Sequence, residues 1–215
     1  MLRFLTVSDS HLYSNRSEVL KLMYALGEKA KEYNDCIDGI VFAGDIVESL
    51  EAFELLVKEL DNFITNNNLT FLNRIYFVWG NHELRSGDLD GMVEYLGGYE
   101  FHSPNLQAKV LDGNVVTYKG YRIAGFPNYQ ENISDFRPEF SVRDITERVS
   151  KDAKFRKELE NSVLKPDLLI THYECDSVEG GCKVYGHFHE RFVATDTLVC
   201  CPFLVVKEAG VIELY

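Results

Sequence analysis

Three short apolar runs, separated by two helical stretches, constrain the fold of this chain more than any other feature of its sequence. The runs cover residues 3–7, 39–43 and 74–79, and apolar periodicity predicts helices over 17–33 and 50–65. Short apolar strands joined by helical crossovers are typical of parallel sheets that are buried on both faces. The first half of the chain is therefore predicted to be an α/β unit with parallel strand pairing.

Each of the two predicted helices carries one apolar stripe. The first stripe comprises Val19, Leu20, Met23, Leu26 and Ala30, and the second comprises Phe53, Leu56, Leu60 and Phe63. This spacing puts apolar side chains on one face of a helix with 3.6 residues per turn. Both helices are therefore predicted to pack against the sheet.

The second half of the chain is richer in short strand-like runs. They are predicted over 108–111, 115–118, 168–171, 184–185, 192–194, 198–201, 204–207 and 211–214. Asp112-Gly113-Asn114 and Lys119-Gly120 each have the composition of a hairpin turn. The charged segment 127–165, helical over about 144–164, interrupts this rhythm. We interpret it as an insertion or cap, or as a dimer contact, within a single domain that spans residues 1–215.

Net charge and cysteine content indicate which partners and which cellular compartment fit this chain. With 22 Lys and Arg against 34 Asp and Glu, the formal net charge is −12, which disfavours long nucleic acid as a partner. No apolar run reaches the ~18 residues of a membrane span, and the first residues lead into a strand without a signal-peptide pattern. Five cysteines without paired spacing fit free thiols in a reducing cytoplasm.

Polar residues gather where the predicted strands stop. Five of the six histidines lie at these points. The residues concerned are Asp9, His11, Asp45, Asn81, His82, His172, His187 and His189. In open α/β sheets the carboxyl ends of the strands line the ligand crevice. Histidines placed for packing alone would not sort to strand ends in this way, so the pattern indicates a functional site at one edge of the sheet.

Each of these clusters has an ordinary structural interpretation when it is taken alone. Asp9-x-His11 is equally compatible with a turn held by an Asx-type hydrogen bond, and Gly44-Asp45 with a simple turn. His172 alone is typical of a buried core histidine. The weight therefore rests on the ordered appearance of five clusters, each after a strand.

The ordered set resembles the motifs of the calcineurin-like metallophosphoesterase family. Its members are Asp9-x-His11, Gly44-Asp45, Gly80-Asn81-His82-Glu83, His172 and Gly186-His187-x-His189. The resemblance implies an α/β fold, a double-layered mixed β-sheet sandwich flanked by helices, with two divalent metal ions at one edge of the sheets. It also implies the ligands: Asp9, His11, Asp45 and His189 for one ion, and Asp45, Asn81, His172 and His187 for the other.

The charge of two neighbouring ions explains why such a site needs a carboxylate at its centre. Two dications roughly 3.5–4 Å apart repel each other strongly, and Asp45 can bridge them because a carboxylate has two oxygens. Imidazole and oxygen ligands without cysteine suit manganese, with iron, zinc or nickel as alternatives. We expect a water that bridges the metals to lose a proton near neutral pH and to attack phosphorus in line.

Two further residues are candidates for catalysis. His82 follows the ligand Asn81 directly, so it is expected to protonate the leaving-group oxygen or to position the phosphate. In the protein-phosphatase branch an aspartate at the place of Glu48 hydrogen-bonds the motif histidine, and Glu48 can do the same for His82. The alternative for Glu48 is an exposed carboxylate at a helix start. Glu83 is expected to stabilise its loop.

The chain departs from the protein Ser/Thr phosphatases at three positions. Ser8 and Leu12 replace glycines that flank the first motif, and Ser49 replaces an arginine that grips phosphate. A protein-phosphatase function is therefore disfavoured. Candidate replacement cations are Arg16, Arg85 and Arg191.

The expected function is hydrolysis of a phosphomonoester or phosphodiester of a small molecule or nucleotide. A nuclease of the same family is an alternative that the net charge of −12 disfavours. A non-catalytic scaffold of this fold that binds a protein partner is another, because fold alone does not determine function. Assembly into a homo-oligomer stays open.

Overall fold

The computed structural model describes residues 1–33, 36–69, 72, 74–86, 89–96, 100–102, 106–129, 142–189, 193–195, 197–203 and 207–215. In chain order its strands and helices are β1 (Leu2–Val7), α1 (Arg16–Glu32), β2 (Gly39–Ala43), α2 (Leu50–Asn66), β3 (Arg74–Val78), α3 (Asn81–Arg85), α4 (Leu89–Tyr95), β4 (Glu100–His102), β5 (Gln107–Val110), β6 (Asn114–Tyr118), β7 (Tyr121–Phe126), α5 (Val142–Asn161), β8 (Leu168–Thr171), β9 (Cys182–Tyr185), β10 (Val193–Ala194), β11 (Leu198–Cys200) and β12 (Gly210–Leu214). Within the described ranges, no helix combines the length and the apolar character that a membrane crossing requires.

The strands form two sheets. The first has the order β12-β1-β2-β3-β5-β4, and the second has the order β10-β11-β9-β8-β7-β6. Strands β1, β2 and β3 pair in parallel in the first sheet, as do β7, β8 and β9 in the second. The parallel α/β unit and the mixed, double-layered sandwich expected from the sequence are both confirmed.

Apolar side chains fill three layers around the two sheets. Helices α1, α2 and α4 pack on the outer face of the first sheet. A second cluster fills the space between the sheets and includes Phe4, Val41, Ile123 and Ile170. The third lies on the outer face of the second sheet, where Leu159 of α5 joins it. Each sheet is covered on both faces, so its central strands are almost uniformly apolar.

The helix boundaries follow from local capping. The Asn15 side chain accepts a hydrogen bond from the Ser17 N–H at the start of α1, and the Ser49 side chain accepts one from the Ala52 N–H at the start of α2. The predicted stripe of α1 is wrong at Leu20, which is 45% exposed, whereas Leu22 is buried. Leu20 lies about 100° around the helix from Val19, outside the face that contacts the sheet.

One predicted hairpin is correct and the other is wrong. Tyr118 pairs with Tyr121 across Lys119 and Gly120, and both turn residues have positive φ, as a tight two-residue hairpin requires. In contrast, β5 and β6 lie in different sheets, so Asp112-Gly113-Asn114 does not close a hairpin. The chain crosses between the sheets there, because β5 pairs with β3 while the Gly113 N–H donates to the Gly125 carbonyl.

Two other predictions concern segments that are described only in part. The predicted strand over 204–207 falls mainly on residues outside the described ranges, and Lys207 itself is not in a strand. Its N–H donates to the Phe203 carbonyl, a helix-type bond. Within the segment 127–165, residues 130–141 lie outside the described ranges, and α5 occupies most of the rest.

Asp152 on α5 is a buried carboxyl group that ties the helix to the chain after β7. Its Oδ2 accepts a hydrogen bond of 2.7 Å from the Tyr129 N–H. Burial raises the pKa of Asp152 to about 7; the Tyr129 N–H lowers it, and repulsion from Asp112 raises it. Lys151 lies beside this pair and forms a 2.6 Å ion pair with Asp112.

A raised carboxyl pKa makes the stability of this connection depend on pH. The folded state holds the Asp152 proton up to about pH 7, whereas the unfolded chain releases it near pH 4. The free energy of unfolding should therefore fall between these values as pH rises. Because Asp152→Asn stays neutral, we expect the wild type to lose on the order of 1 kcal/mol or more relative to this variant between pH 5 and pH 8, measured by urea unfolding.

The exposed Asp90 in α4 supplies the control for this comparison. Asp90→Asn should track the wild type across the whole pH range. Parallel pH profiles for the wild type and Asp152→Asn would contradict the assignment of a raised pKa to Asp152.

Candidate metal centre

The carboxyl ends of five parallel strands deliver the predicted site residues to one edge of the two sheets. Asp9 and His11 follow β1, Asp45 follows β2, and Asn81 follows β3 at the start of α3. The second sheet supplies the rest, with His172 directly after β8 and the loop 186–189 after β9. The His172 ring joins the two sheets, because its Nδ1 lies 3.0 Å from the carbonyl oxygen of Ala43 at the end of β2.

The structure brings all seven predicted ligands together in two groups. In one, ligand atoms of Asp9, His11, Asp45 and His189 lie within 4.8 Å of one another. In the other, the same is true of Asp45, His172 and His187. Asn81 completes the second group, since its Oδ1 lies 3.0 Å from His172 Nε2. Asp45 is common to both.

Burial is deep at the centre of the site and decreases towards one side. Asp9, Asp45, Asn81 and His172 are at most 3% exposed, whereas the His189 side chain is 40% exposed. The first group therefore reaches solvent at His189, and the second is buried except at His187, which is partly exposed. The partly exposed edge of the site therefore lies at the loop 186–189.

Hydrogen bonds fix which nitrogen of each ring faces the centre. Nδ1 of His11 lies 2.6 Å from the Glu48 carboxylate, and Nδ1 of His172 faces the Ala43 carbonyl. Both partners accept only, so each Nδ1 carries the proton. The Nε2 atoms are thus left to bind a cation, the usual role of a partner that fixes a ligating histidine.

The donor atoms fit bound cations. Asp9 Oδ2 is buried and has no hydrogen-bond partner among the described residues. Nε2 of His11 lies only 3.0 Å from Nε2 of His189, so two ring nitrogens face each other. Asn81 Oδ1 and Asp45 Oδ2 lie 3.0 and 3.3 Å from His172 Nε2. Converging acceptor atoms of this kind are stabilised by a cation that they share, either a proton or a metal ion.

The arrangement of Asp45 differs from the two-oxygen bridge expected from the sequence. Its Oδ1 accepts a hydrogen bond of 2.8 Å from the His82 N–H. Its Oδ2 lies 4.0 Å from His11 Nε2 and 3.3 Å from His172 Nε2, so this one oxygen faces both groups. The backbone bond to Oδ1 sets that orientation.

Asp45 and His172 each shift the pKa of the other. Burial alone would raise the pKa of Asp45, but the adjacent His172 ring lowers it well below its ordinary value. Burial would likewise lower the pKa of His172, but the Asp45 carboxylate opposes this and raises it to about 9. Asp45 is therefore held as an anion, and its negative charge favours positive charge at the position of His172.

Four predicted ligands have a left-handed backbone. Asp9, His11, Asp45 and His187 have φ values of 49°, 46°, 53° and 71°. Non-glycine residues rarely adopt this region, and the strain is typical of functional sites. Glycine is required beside them at Gly80, where an added Cβ would overlap the amide nitrogen and Oδ1 of Asp45.

Glu48 contacts His82, as the sequence predicted, and also a second histidine. Its Oε1 lies 2.7 Å from Nδ1 of His82 and 2.6 Å from Nδ1 of His11. Burial raises the pKa of Glu48, but the two histidines more than offset this and lower it to about 2. The contact with His11 was not predicted, because no sequence spacing relates these residues.

Glu83 lies in α3, and its carboxylate stabilises the preceding loop, as expected, by accepting hydrogen bonds from four backbone N–H groups. Oε1 accepts from Ile46 and Val47 at 2.5 and 3.0 Å. Oε2 accepts from Asp45 and Gly80 at 2.9 and 2.7 Å. Burial raises the pKa of Glu83, and repulsion from Asp45 raises it further. The carboxylate thus ties the loop after β2 to the loop after β3.

The three candidate arginines have different outcomes. Arg85 lies at the end of α3, is half-buried, and is near enough to His82 for its charge to lower the pKa of that ring. Arg16 pairs with Glu59 at 2.9 Å, which ties α1 to α2. Arg191 lies outside the described residues. Arg85 is therefore the described arginine that remains a candidate for substrate.

Two buried tyrosines lie beside the predicted ligands. The Tyr173 hydroxyl donates to Asn81 Oδ1 at 3.2 Å, and the Tyr129 hydroxyl donates to the Gly80 carbonyl at 2.9 Å. Tyr173 had a weak signal, since it directly follows His172. Tyr129 lies in the segment interpreted as an insertion or cap, but its distance from every motif gave no sign of its contact with Gly80.

Comparison with known proteins identifies a family. A sequence model described as calcineurin-like phosphoesterase matches residues 2–198 of this chain. A comparison of this chain with curated proteins found no match.

Several solved structures resemble the chain, each with 13% sequence identity. A dimetal phosphatase from Danio rerio aligns over 93% of this chain and 86% of its own, with a TM-score of 0.42. An uncharacterised protein from Streptococcus pneumoniae, described as a predicted phosphoesterase, aligns over 93% and 70%, with a TM-score of 0.34. A 5′-nucleotidase from Candida albicans aligns over 99% of this chain but 46% of its own, with a TM-score of 0.44.

The four bonds to Glu83 predict a large loss of stability on Glu83→Gln. Glutamine keeps one acceptor oxygen but turns an amide NH₂ towards two backbone N–H donors, which are then buried without an acceptor. We expect the free energy of unfolding to fall by at least about 2 kcal/mol at pH 7, measured by urea denaturation. Glu51→Gln, on the exposed first turn of α2, is the matched control. Equal losses for the two variants would contradict the role of Glu83.

Proposed function

The chain belongs to the calcineurin-like phosphoesterase family and is a metal-dependent phosphoesterase, and from that premise we propose that it hydrolyses the phosphate ester of a small molecule or nucleotide. The single observation that carries this proposal is the sharing of Asp45 between two groups of ligand atoms. One carboxylate oxygen that faces both groups is the arrangement that two neighbouring dications need.

The seven side chains would hold the ions as two sets. Asp9, His11, Asp45 and His189 form the first, and Asp45, Asn81, His172 and His187 form the second. When bound, two divalent ions supply Lewis-acid chemistry, which activates water and offsets negative charge on phosphoryl oxygens. Nitrogen and oxygen donors without cysteine favour manganese, with iron, zinc or nickel as alternatives.

His82 is the proposed general acid. Glu48 accepts a hydrogen bond from the Nδ1–H group of His82. The other ring nitrogen, Nε2, is therefore directed towards the site and lies 3.9 Å from Asp45 Oδ2. Burial lowers the pKa of His82, but Glu48 and Asp45 more than compensate, and the pKa is raised. A raised pKa favours the protonated ring, which can transfer its proton to the leaving-group oxygen. Glu48 acts by holding both His82 and His11 in place.

Arg85 is the proposed contact for the substrate phosphate. Its Nε is buried and has no hydrogen-bond partner among the described residues. A guanidinium group with an unpartnered Nε near His82 is suited to bind a phosphoryl oxygen. Arg191, which follows the last motif, remains a second candidate from the sequence.

Charge and local structure favour a small substrate. The net charge of −12 disfavours long polyanions such as nucleic acid. Ser49, which stands where protein phosphatases have an arginine, caps α2 instead. All five cysteines are free, which fits the proposed reducing cytoplasm.

Metal dependence tests the proposed function directly. The Mn²⁺-loaded protein should hydrolyse p-nitrophenyl phosphate or its bis-ester, and EDTA should abolish turnover until Mn²⁺ is restored. His82→Asn should lower kcat by about 100-fold or more, because the proton donor is lost. His102→Asn changes the histidine of β4, at the far edge of the first sheet, and should leave kcat unchanged. Metal-independent turnover, or a full kcat in His82→Asn, would overturn the proposal.

Removal of the Arg85 guanidinium should weaken the grip on phosphate. Arg85→Ala is expected to lower kcat/KM by roughly 10-fold to 100-fold, as loss of a charged hydrogen bond predicts. Arg3→Ala is the control, since Arg3 lies at the amino end of β1 and pairs with Glu213. If both variants keep the wild-type kcat/KM in a steady-state assay, Arg85 does not contact the substrate.

A further inference from the structure

Tyr173 contacts two proposed ligands of the second metal position. It follows His172 at the end of β8 and is 6% exposed. Its hydroxyl donates to Asn81 Oδ1 at 3.2 Å. Its ring lies 4.1 Å from the His187 ring, centroid to centroid, at an interplanar angle of 35°. One side chain therefore restrains both the amide and the imidazole of this group.

The amide of Asn81 depends on such a restraint. An asparagine side chain presents either an oxygen or an NH₂ group when its terminal torsion flips, and only the oxygen can bind a cation. The Tyr173 hydroxyl donates to the oxygen and holds it within 3.0 Å of His172 Nε2. Loss of this donor removes one interaction that favours the productive orientation.

The His187 ring depends on Tyr173 for a different reason. His187 has a positive φ and follows a strand through Gly186, so its backbone sits in a strained loop. The face of Tyr173 packs against its ring, and the ring of His172 lies edge-on at 5.3 Å. The two ring contacts limit the orientations that the His187 imidazole can adopt.

A neighbouring tyrosine holds the same loop through a backbone carbonyl. The Tyr129 hydroxyl donates to the backbone carbonyl of Gly80, and its ring packs edge-on against Tyr173 at 6.3 Å. Tyr129 thus contacts the residue before Asn81, whereas Tyr173 contacts the amide itself. Tyr129 therefore supports the loop, whereas Tyr173 orients the side chain of the proposed ligand.

We propose that Tyr173 is a positioning residue for the second metal position: its hydroxyl orients the Asn81 oxygen and its ring orients His187. The proposal rests on the dinuclear function proposed above. The contacts that carry the proposal, to Asn81 and His187, both belong to the second set, so the two metal positions should depend unequally on Tyr173. Loss of the hydroxyl should weaken one ion and spare the other.

The test measures metal binding without substrate. Metal-free protein is titrated with Mn²⁺ by calorimetry, and bound ions are counted by electron paramagnetic resonance. Wild type should bind two ions. Tyr173→Phe, which keeps the ring, should weaken one ion by about 10-fold, and Tyr173→Leu, which removes both restraints, by about 100-fold. Affinity for the other ion should not change.

Two tyrosine variants control for general loss of stability. Tyr76→Phe removes the hydroxyl of a buried tyrosine in the core between the sheets and should bind both ions as the wild type does. Tyr129→Phe removes a bond to the same loop and should lower thermal stability without weakening one ion selectively. Equal weakening of both ions in Tyr173→Phe, or the same selective loss in Tyr129→Phe, would overturn the positioning role.

Asn81→Asp tests the orientation argument itself. A carboxylate has two equivalent oxygens, so it needs no donor to select one of them. Tyr173→Phe should therefore have a much smaller effect on Mn²⁺ affinity in the Asn81→Asp background than in the wild type. An undiminished effect in this double-mutant comparison would contradict the role of the hydroxyl.

The outcomes for Tyr173 and for the proposed function are distinguishable. Two bound ions without hydrolysis of any phosphate ester would overturn the proposed reaction and leave the metal affinities to decide on Tyr173. Normal hydrolysis with unchanged Mn²⁺ affinity in both Tyr173 variants would overturn the positioning role alone. Failure of the wild type to bind Mn²⁺ would overturn both.

Discussion

The burial of three carboxylates where two sheets meet is the constraint on which this structure depends. Asp9 and Asp45 are at most 1% exposed, and Glu83 lies behind Asp45 with the same exposure. Four backbone N–H groups satisfy Glu83, so its charge is absorbed by the loops it joins. Asp45 and Asp9 each receive one backbone N–H bond and otherwise face imidazoles. The remaining negative charge is the driving force for cation binding.

A strained backbone positions the side chains that carry this charge. Left-handed φ values at four ligand residues cost roughly 1–3 kcal/mol each in an isolated chain. The strain persists because each turn is anchored by a parallel strand on one side and by cross-loop bonds on the other, as where the Asp9 and His11 N–H groups donate to Gly44 and Asp45. The fold thus stabilises loop conformations that bring carboxylates and imidazoles close together before any ion is bound.

Much of this arrangement could be predicted from the sequence, and the failures have physical reasons. Strand ends and the histidine pattern placed the seven candidate ligands at one edge, because parallel strands bring their carboxyl ends together, and the family resemblance divided them between two metal positions. The crossing between β5 and β6 was missed because turn composition does not reveal which sheet a strand joins. The Glu48–His11 and Tyr173–Asn81 contacts join residues 37 and 92 positions apart. Such contacts arise from packing between elements, for which local periodicity carries no signal.

The two sheets contribute to the candidate site in an interleaved way. The loop after β9 places His187 in one ligand group and His189 in the other, while Asp45 from the first sheet belongs to both. Neither group is complete within a single sheet, so each requires the apolar cluster between the sheets to be formed. Ion binding is then coupled to the packing of the sandwich, because ligands supplied by both halves bind only when the halves are docked. The contacts of Tyr129 and Tyr173 belong to the same docking, because each joins a residue that follows a strand of the second sheet to Gly80 or Asn81, which follow β3 in the first.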